Sequence, residues 1–245
     1  MMIVNADDFG RSRTETDLVV SCYRAGRITS TTAMMFMQDS ERAASQAREI
    51  GIDVGLHLNL SERFSAAGLP SRLQQSHERV VRFLTASKYA LIVYNPLLRR
   101  EFRDVVDAQI EEFVRIYGRQ PSHIDGHQHQ HLCTNVLVDK LIPEAKSVRR
   151  SFSFWSGEKS LLNRGYRALV DRTLERHYQV ADYFFSLDHC MRLGQLGRVF
   201  ELARSARVEL MTHPFNKREF AYLMSEDYRE ALASLNVGTY ATVCA

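Results

Sequence analysis

The chain has 245 residues, 45% hydrophobic and 25% charged, with 32 Lys and Arg against 29 Asp and Glu. That length buries a sizeable core and suits an α/β barrel, while the apolar content excludes disorder and the low Gly and Pro content excludes collagen-like or mucin-like chains. A formal charge of +3 gives no electrostatic reason to expect a nucleic-acid partner, and no run approaches the roughly 18 apolar residues of a membrane span.

The first residues lack the basic and then apolar character of a leader, so the cytoplasm is the expected compartment. Cys22, Cys133, Cys190 and Cys244 are scattered, and read as apolar fillers or incidental thiols. No repeat or linker divides the chain, so one domain over residues 1–245 is expected.

Short apolar runs alternate with helical patterns, which predicts βαβ units and mainly parallel strands. Residues 2–6 read as a strand, 14–25 as a helix stopped by Gly26, and 30–36 as a second strand. An Ala-rich helix over 40–49 ends at Gly51, and 53–59 reads as a third strand. The pattern is lost over 60–76, which predicts a loop that covers substrate or a disordered insertion. Leu98, Phe102, Val105, Val106, Ile110, Phe113 and Tyr117 form the stripe of a helix over 98–117, stopped by Gly118. A strand at 122–126, a helix at 135–142 and strands near 146–149, 183–186 and 208–212 complete the reading, with helices between the late strands.

Four clusters carry chemistry. Asn5-Ala6-Asp7-Asp8-Phe9-Gly10 puts two acids at the C-terminal end of the first strand, the functional edge of parallel α/β sheets. Neighbours on a strand point to opposite faces, so both acids serve one site only if the chain curls, which Gly10 makes cheap. Alone, such a pair is usually an N-cap or turn before the helix at Thr14. In Gly55-Leu56-His57-Leu58-Asn59-Leu60, alternation sets His57 and Asn59 on one face at the same edge.

The third cluster is His123-Ile124-Asp125-Gly126-His127-Gln128-His129-Gln130-His131. If extended, it places five titratable residues on one face over about 26 Å, far more than one ion spans at about 2.0–2.1 Å per bond. One or two of these histidines can ligate; the others line the cleft or support the ligands through hydrogen bonds. Asp8, His57 and one histidine of this run then form a two-histidine, one-carboxylate set with open positions, leaving Asp7 free as a general base toward a water. Fourth, Met211-Thr212-His213-Pro214 holds His213 at the end of a late strand, where an imidazolium would donate a proton to a leaving group.

With these motifs, and with Thr-Ser-Thr-Thr at 29–32, the chain resembles the YdjC-like carbohydrate deacetylase family, which includes chitooligosaccharide deacetylases and hopanoid-biosynthesis-associated members. The resemblance covers residues 3 to about 214. It implies a distorted TIM-like (β/α) barrel that hydrolyses the N-acetyl group of a sugar or glycolipid. It also implies metal ligands at Asp8, His57 and His127, a base at Asp7, and an acid or substrate contact at His213. Arg149 and Asn59 are the expected substrate contacts, and Asp125, His129 and His131 the hydrogen-bond support behind the ligands. The resemblance implies magnesium as the divalent metal, whereas nitrogen and oxygen donors suit zinc or manganese.

A homodimer is left open. Two other classes remain: a carbohydrate-binding protein without turnover, and a metal-dependent phosphoesterase. The intact acids and histidines weigh against the first, and the absence of a Gly-rich or basic phosphate cradle weighs against the second.

Overall fold

A computed structural model describes residues 1–87, 89–144 and 146–243. Its strands are β1 (Met2–Phe9), β2 (Ser30–Ala33), β3 (Asp53–Leu58), β4 (His123–Gly126), β5 (Ser147–Val148), β6 (Tyr183–Ser186) and β7 (Val208–Thr212). All pair in parallel, in the order β5-β4-β3-β2-β1-β7-β6. The sheet curls until its outer strands approach: Val148 N donates to Gln179 O at 2.9 Å, and Ser153 N donates to Phe184 O at 2.8 Å. The expected mainly parallel, distorted (β/α) barrel is therefore what the chain forms, as a curled half-barrel of seven strands.

Helices α1 (Arg13–Arg24), α2 (Ser40–Ile50), α3 (Ser71–Thr85), α4 (Arg99–Tyr117), α5 (Thr134–Val138) and α6 (Leu161–Glu175) lie between the earlier strands or before β6. Short helices α7 (Leu187–Arg192), α8 (Leu196–Ala203), α9 (Lys217–Leu223), α10 (Glu226–Ala233) and α11 (Tyr240–Val243) complete the chain. Gly51 and Gly118 end α2 and α4 in the left-handed conformation, at φ 71° and 67°. The interior strand β1 is flanked by β2 and β7, and all eight of its residues are buried. The turn that leaves its C-terminal end therefore sits over the sheet, away from either outer strand.

Three elements differ from the sequence reading. The stretch 60–76 is only partly loop, because α3 starts at Ser71. Its inward stripe is Leu73, His77, Val80 and Leu84, and a buried histidine breaks the apolar pattern on which the reading relied. His77 behaves as an apolar residue: it stacks on Phe64 with ring centroids 3.6 Å apart, and its Nε2 donates to Asn59 O at 3.1 Å. The histidine-rich run is not extended throughout. The strand stops at Gly126, and Gln128 and His129 adopt left-handed φ of 52° and 58°. The helix expected over 135–142 is confined to Thr134–Val138.

Cys22, Cys133 and Cys190 are free and buried, and burial pushes each thiol up to about 12. Cys244 lies outside the described residues. Among the described residues no helix is long and apolar enough to cross a membrane.

Burial lowers the pKa of His77, His123 and His131 from 6.5 to about 4 each, so the fold holds them neutral while the unfolded chain protonates them below 6.5. The unfolded state then binds more protons between those values, and stability falls as pH drops from about 6.5 toward about 4. Thermal midpoints compared near pH 7 and near pH 5 should show the loss. A flat profile would contradict the neutral burial of these rings.

Candidate active site

Strand register assembles the centre. β3 and β4 pair with His57 opposite Asp125, and their side chains meet with His57 Nδ1 2.7 Å from Asp125 Oδ1. A carboxylate at Nδ1 fixes the proton there and leaves Nε2 as the free nitrogen, which points at Asp8 Oδ1 3.3 Å away. Thr32 of β2 donates to the other Asp125 oxygen at 3.0 Å and accepts from Asn5 Nδ2 at 3.1 Å.

The adjacent acids of β1 part company at Asp8. Its φ of 65° is left-handed, and the pairing with β2 shifts register between Ala6 and Phe9. The curl foreseen at Gly10 thus begins two residues earlier, on the ligand candidate itself, a conformation that costs an L-residue energy and that Asp tolerates better than most. Its Oδ1 receives His127 Nδ1 at 2.9 Å. His127 gets there because the chain turns sharply after Gly126, where a Cβ would lie 2.9 Å from the backbone nitrogen of His131.

Asp8, His57 and His127 offer one ligand atom each within 4.8 Å of one another. Donors bound at about 2.0–2.1 Å stand about 3 Å apart in octahedral geometry and about 3.4 Å apart in tetrahedral geometry. Separations of 2.9 and 3.3 Å from Asp8 Oδ1 to the two imidazole nitrogens fit either. This buried Asp/His group could hold a divalent metal. Asp7, His57 and Asp125 form a second close set, but the Arg149 guanidinium already supplies its cation.

Arg149, from the turn after β5, is fully buried. Nη1 and Nη2 donate to the two oxygens of Asp7 at 2.7 Å, Nη1 also lies 2.6 Å from Asp125 Oδ2, and Nε donates to Glu209 Oε1 at 2.7 Å. Tyr240 donates to the other Glu209 oxygen. Three buried carboxylates, Asp7, Asp125 and Glu209, thus share one guanidinium, while a fourth, Asp8, meets the imidazoles of His57 and His127.

The titration shifts follow. Burial opposes the charge on Asp8, yet the hydrogen bonds from His127 and His57 hold its carboxyl well below the usual range. Burial likewise opposes the charge on His57, but Asp125 and then Asp8 raise it to about 10. Burial pushes Glu209 up to about 7 against the pull of Arg149.

The remaining expected residues fall as follows. Arg149 has no exposed surface and is engaged by three carboxylates, so it meets Asp7 where a substrate contact was expected. Asn59 is also fully buried: its amide donates to Glu62 O at 2.7 Å and its Oδ1 accepts from Glu62 N at 2.9 Å, which shapes the turn after β3. Asp125 supports His57. His131 Nε2 donates to Arg149 O at 3.0 Å, while His129 packs edge-on to Phe152 at 4.4 Å. Among the described residues no hydrogen bond joins either ring to Asp8, His57 or His127. His213 follows β7, whose Thr212 pairs with Ala6, so Asp7 and His213 are the next residues along neighbouring strands. Its ring is partly exposed, with Nδ1 3.9 Å from Glu219 Oε1.

Sequence reasoning missed Glu209 and Glu62, and gave Thr32 no role beyond its place in the motif at 29–32. Glu62 reaches His127 Nε2 at 3.4 Å and pairs with Arg11 at 2.9 Å. A charged residue inside the apolar run Val208-Glu209-Leu210-Met211 was a legible sign of an interior ion pair. Glu62, in a stretch without periodicity, left none.

A family model described as YdjC-like protein matches residues 1–234. The chitooligosaccharide deacetylase of Proteus mirabilis (strain HI4320) is 35% identical over 138 residues, 56% of this chain and 52% of that protein. A chitooligosaccharide deacetylase of Serratia marcescens is 34% identical over 133 residues, 54% of this chain and 51% of that protein. The matched region thus spans about half the length of these two relatives. The carbohydrate deacetylase of Mus musculus is 29% identical over 249 residues, covering 87% of this chain and 77% of that protein. A crystal structure from Enterococcus faecalis V583, described as that of a candidate cellobiose-phosphate cleavage protein, superposes with a TM-score of 0.68 over 99% of this chain and 98% of that one. At 20% identity that likeness is one of fold.

Two outcomes follow from this geometry. Arg149→Met leaves three buried carboxylates without their guanidinium and should cost about 3–5 kcal/mol in urea denaturation; a loss under about 1 kcal/mol would contradict the ion cluster. Zn²⁺ or Mn²⁺ binding to metal-stripped protein must displace the proton that His57 holds up to about 10, so affinity should rise with pH below that value. Titration calorimetry checks this, with Asp8→Asn weakening binding at least about tenfold.

Proposed function

This chain belongs to the YdjC-like protein family, and from that premise we propose that it is a metal-dependent carbohydrate deacetylase hydrolysing the N-acetyl group of an acetylated sugar. The observation that carries the reading is a compact donor set, Asp8, His57 and His127, beside a second acid, Asp7, at the open edge of a parallel sheet. The relatives named as chitooligosaccharide and carbohydrate deacetylases support the same chemistry. Two imidazoles and one carboxylate favour zinc or manganese over magnesium, which prefers oxygen donors.

Asp8, His57 and His127 would hold the ion, which supplies Lewis-acid polarisation of the acetyl carbonyl and stabilises negative charge developing on its oxygen. The other roles belong to the chain. Water adds to the carbonyl carbon and Asp7 takes its proton. Arg149, bound to both Asp7 oxygens, fixes the direction of that carboxylate. Asp125 keeps the His57 ring turned with Nε2 inward. As the C–N bond breaks, His213 delivers a proton to the departing nitrogen, and acetate and a free amine leave. Buried Glu219 accepts from His213 N at 2.9 Å and from the Thr212 hydroxyl at 2.8 Å, which fixes the chain where His213 leaves the strand.

Asp7→Asn should retain metal, read by calorimetry, while acetate release from N-acetylated oligosaccharides falls at least about a hundredfold. His213→Gln should lower turnover with metal binding intact. Near-normal turnover of the Asp7 variant removes Asp7 from the role of base, and release of phosphate without acetate from a matched substrate panel replaces the deacetylase reading.

A further inference from the structure

Exposed apolar side chains gather around one cleft. A cavity of about 830 Å³ has Tyr89 and Ile92 on one wall, Leu162 and Tyr166 of α6 on another, and Gln128 and His129, the two residues after His127, between them. Further along the same two segments Leu97 is 83% exposed, and Leu161 and Leu169 are 81% and 65% exposed; Leu162 is 89% exposed. These leucines are not needed by the core, because α6 buries a different face through Val170 and Leu174. Helix α6 therefore carries a second apolar stripe on its solvent side.

Its charges are lopsided as well. Asp171 is buried and paired with Arg150, and half-buried Arg167 lies near it with its guanidinium over the Phe154 ring; at the surface Arg164 and Arg172 stand against Glu175, and among the described residues no ion pair joins those two arginines to a carboxylate. Contiguous apolar surface of this kind marks an interaction site rather than scattered exposure. Exposed leucines interspersed with the exposed Arg164 and Arg172 on one helix are the composition of an element that lies in a lipid–water interface, apolar tips in the acyl region and guanidinium groups at the headgroups.

We infer that the rim formed by α6 and the 89–97 segment docks this protein on an anionic lipid bilayer, with the mouth of the cleft against the membrane. The charge complementarity of the arginines selects negatively charged headgroups, and the two separated lips present tips for insertion. Docking in this way sets the cleft, and the histidine turn behind it, at the membrane surface. The inference requires no turnover, so it stands or falls apart from the hydrolytic reading.

The test is vesicle flotation with the full chain. Wild-type protein should float with vesicles of mixed phosphatidylglycerol and phosphatidylcholine, remain in solution with phosphatidylcholine alone, and be released by salt. A double variant, Leu162→Asp with Leu169→Asp, and a second, Arg164→Glu with Arg172→Glu, should each reduce partitioning at least about tenfold. Both pairs alter surface side chains, so thermal midpoints should match the wild type. Wild-type protein that ignores the anionic vesicles overturns the inference, as does binding that both variants retain. A chain that dimerises through the leucines and leaves the vesicles unbound overturns it too.

Discussion

A single guanidinium organises the interior of this half-barrel. Arg149 lies where Asp7, Asp125 and Glu209 converge from three strands, β1, β4 and β7, and it has no contact with solvent. A buried charge pair contributes little net stability, because desolvation cancels much of the attraction. Its value here is positional. A planar fork that binds both oxygens of Asp7 and one of Asp125 determines how those carboxylates face, and Asp125 in turn determines how His57 faces. The donor set is oriented from behind by groups that never reach the cleft.

Strain and charge are distributed accordingly. The left-handed conformation of Asp8 and those of Gln128 and His129 fall on either side of the same centre, where Asp8 meets His127. Backbone cost of this kind persists only where surrounding contacts enforce it, and here strand pairing and the close approach at Gly126 do so. The two adjacent acids of β1 thereby acquire different tasks: Asp7 stays in line with the strand and meets Arg149, and Asp8 swings out to the imidazoles.

Much of this was legible in the residues. Apolar runs ending in acids or histidines marked the strand ends that carry Asp7, Asp8, His57 and Asp125, because parallel sheets collect their functional groups on one edge. The selection of His127 from four histidines rested on family likeness, since alternation cannot show where a strand stops and a left-handed turn begins. Arg149 was read as a substrate contact on family likeness alone; its three partners lie 24, 60 and 142 positions away in sequence, beyond any local pattern. Helix α3 was obscured because His77 is buried neutral, and Glu62 because loops carry no periodicity.

The opposition of His57 and Asp125 across β3 and β4, with Asp8 arriving from β1, gives the centre a strict assembly condition. No hairpin or isolated βα unit contains more than a fraction of it, so a nascent or half-collapsed chain holds scattered weak ligands rather than a working pocket. Competence arrives only when distant strands have docked in correct alignment. An ion held there would consequently report on the docking of β1, β3 and β4 through the strand between them, and would favour the one arrangement in which those strands are in register.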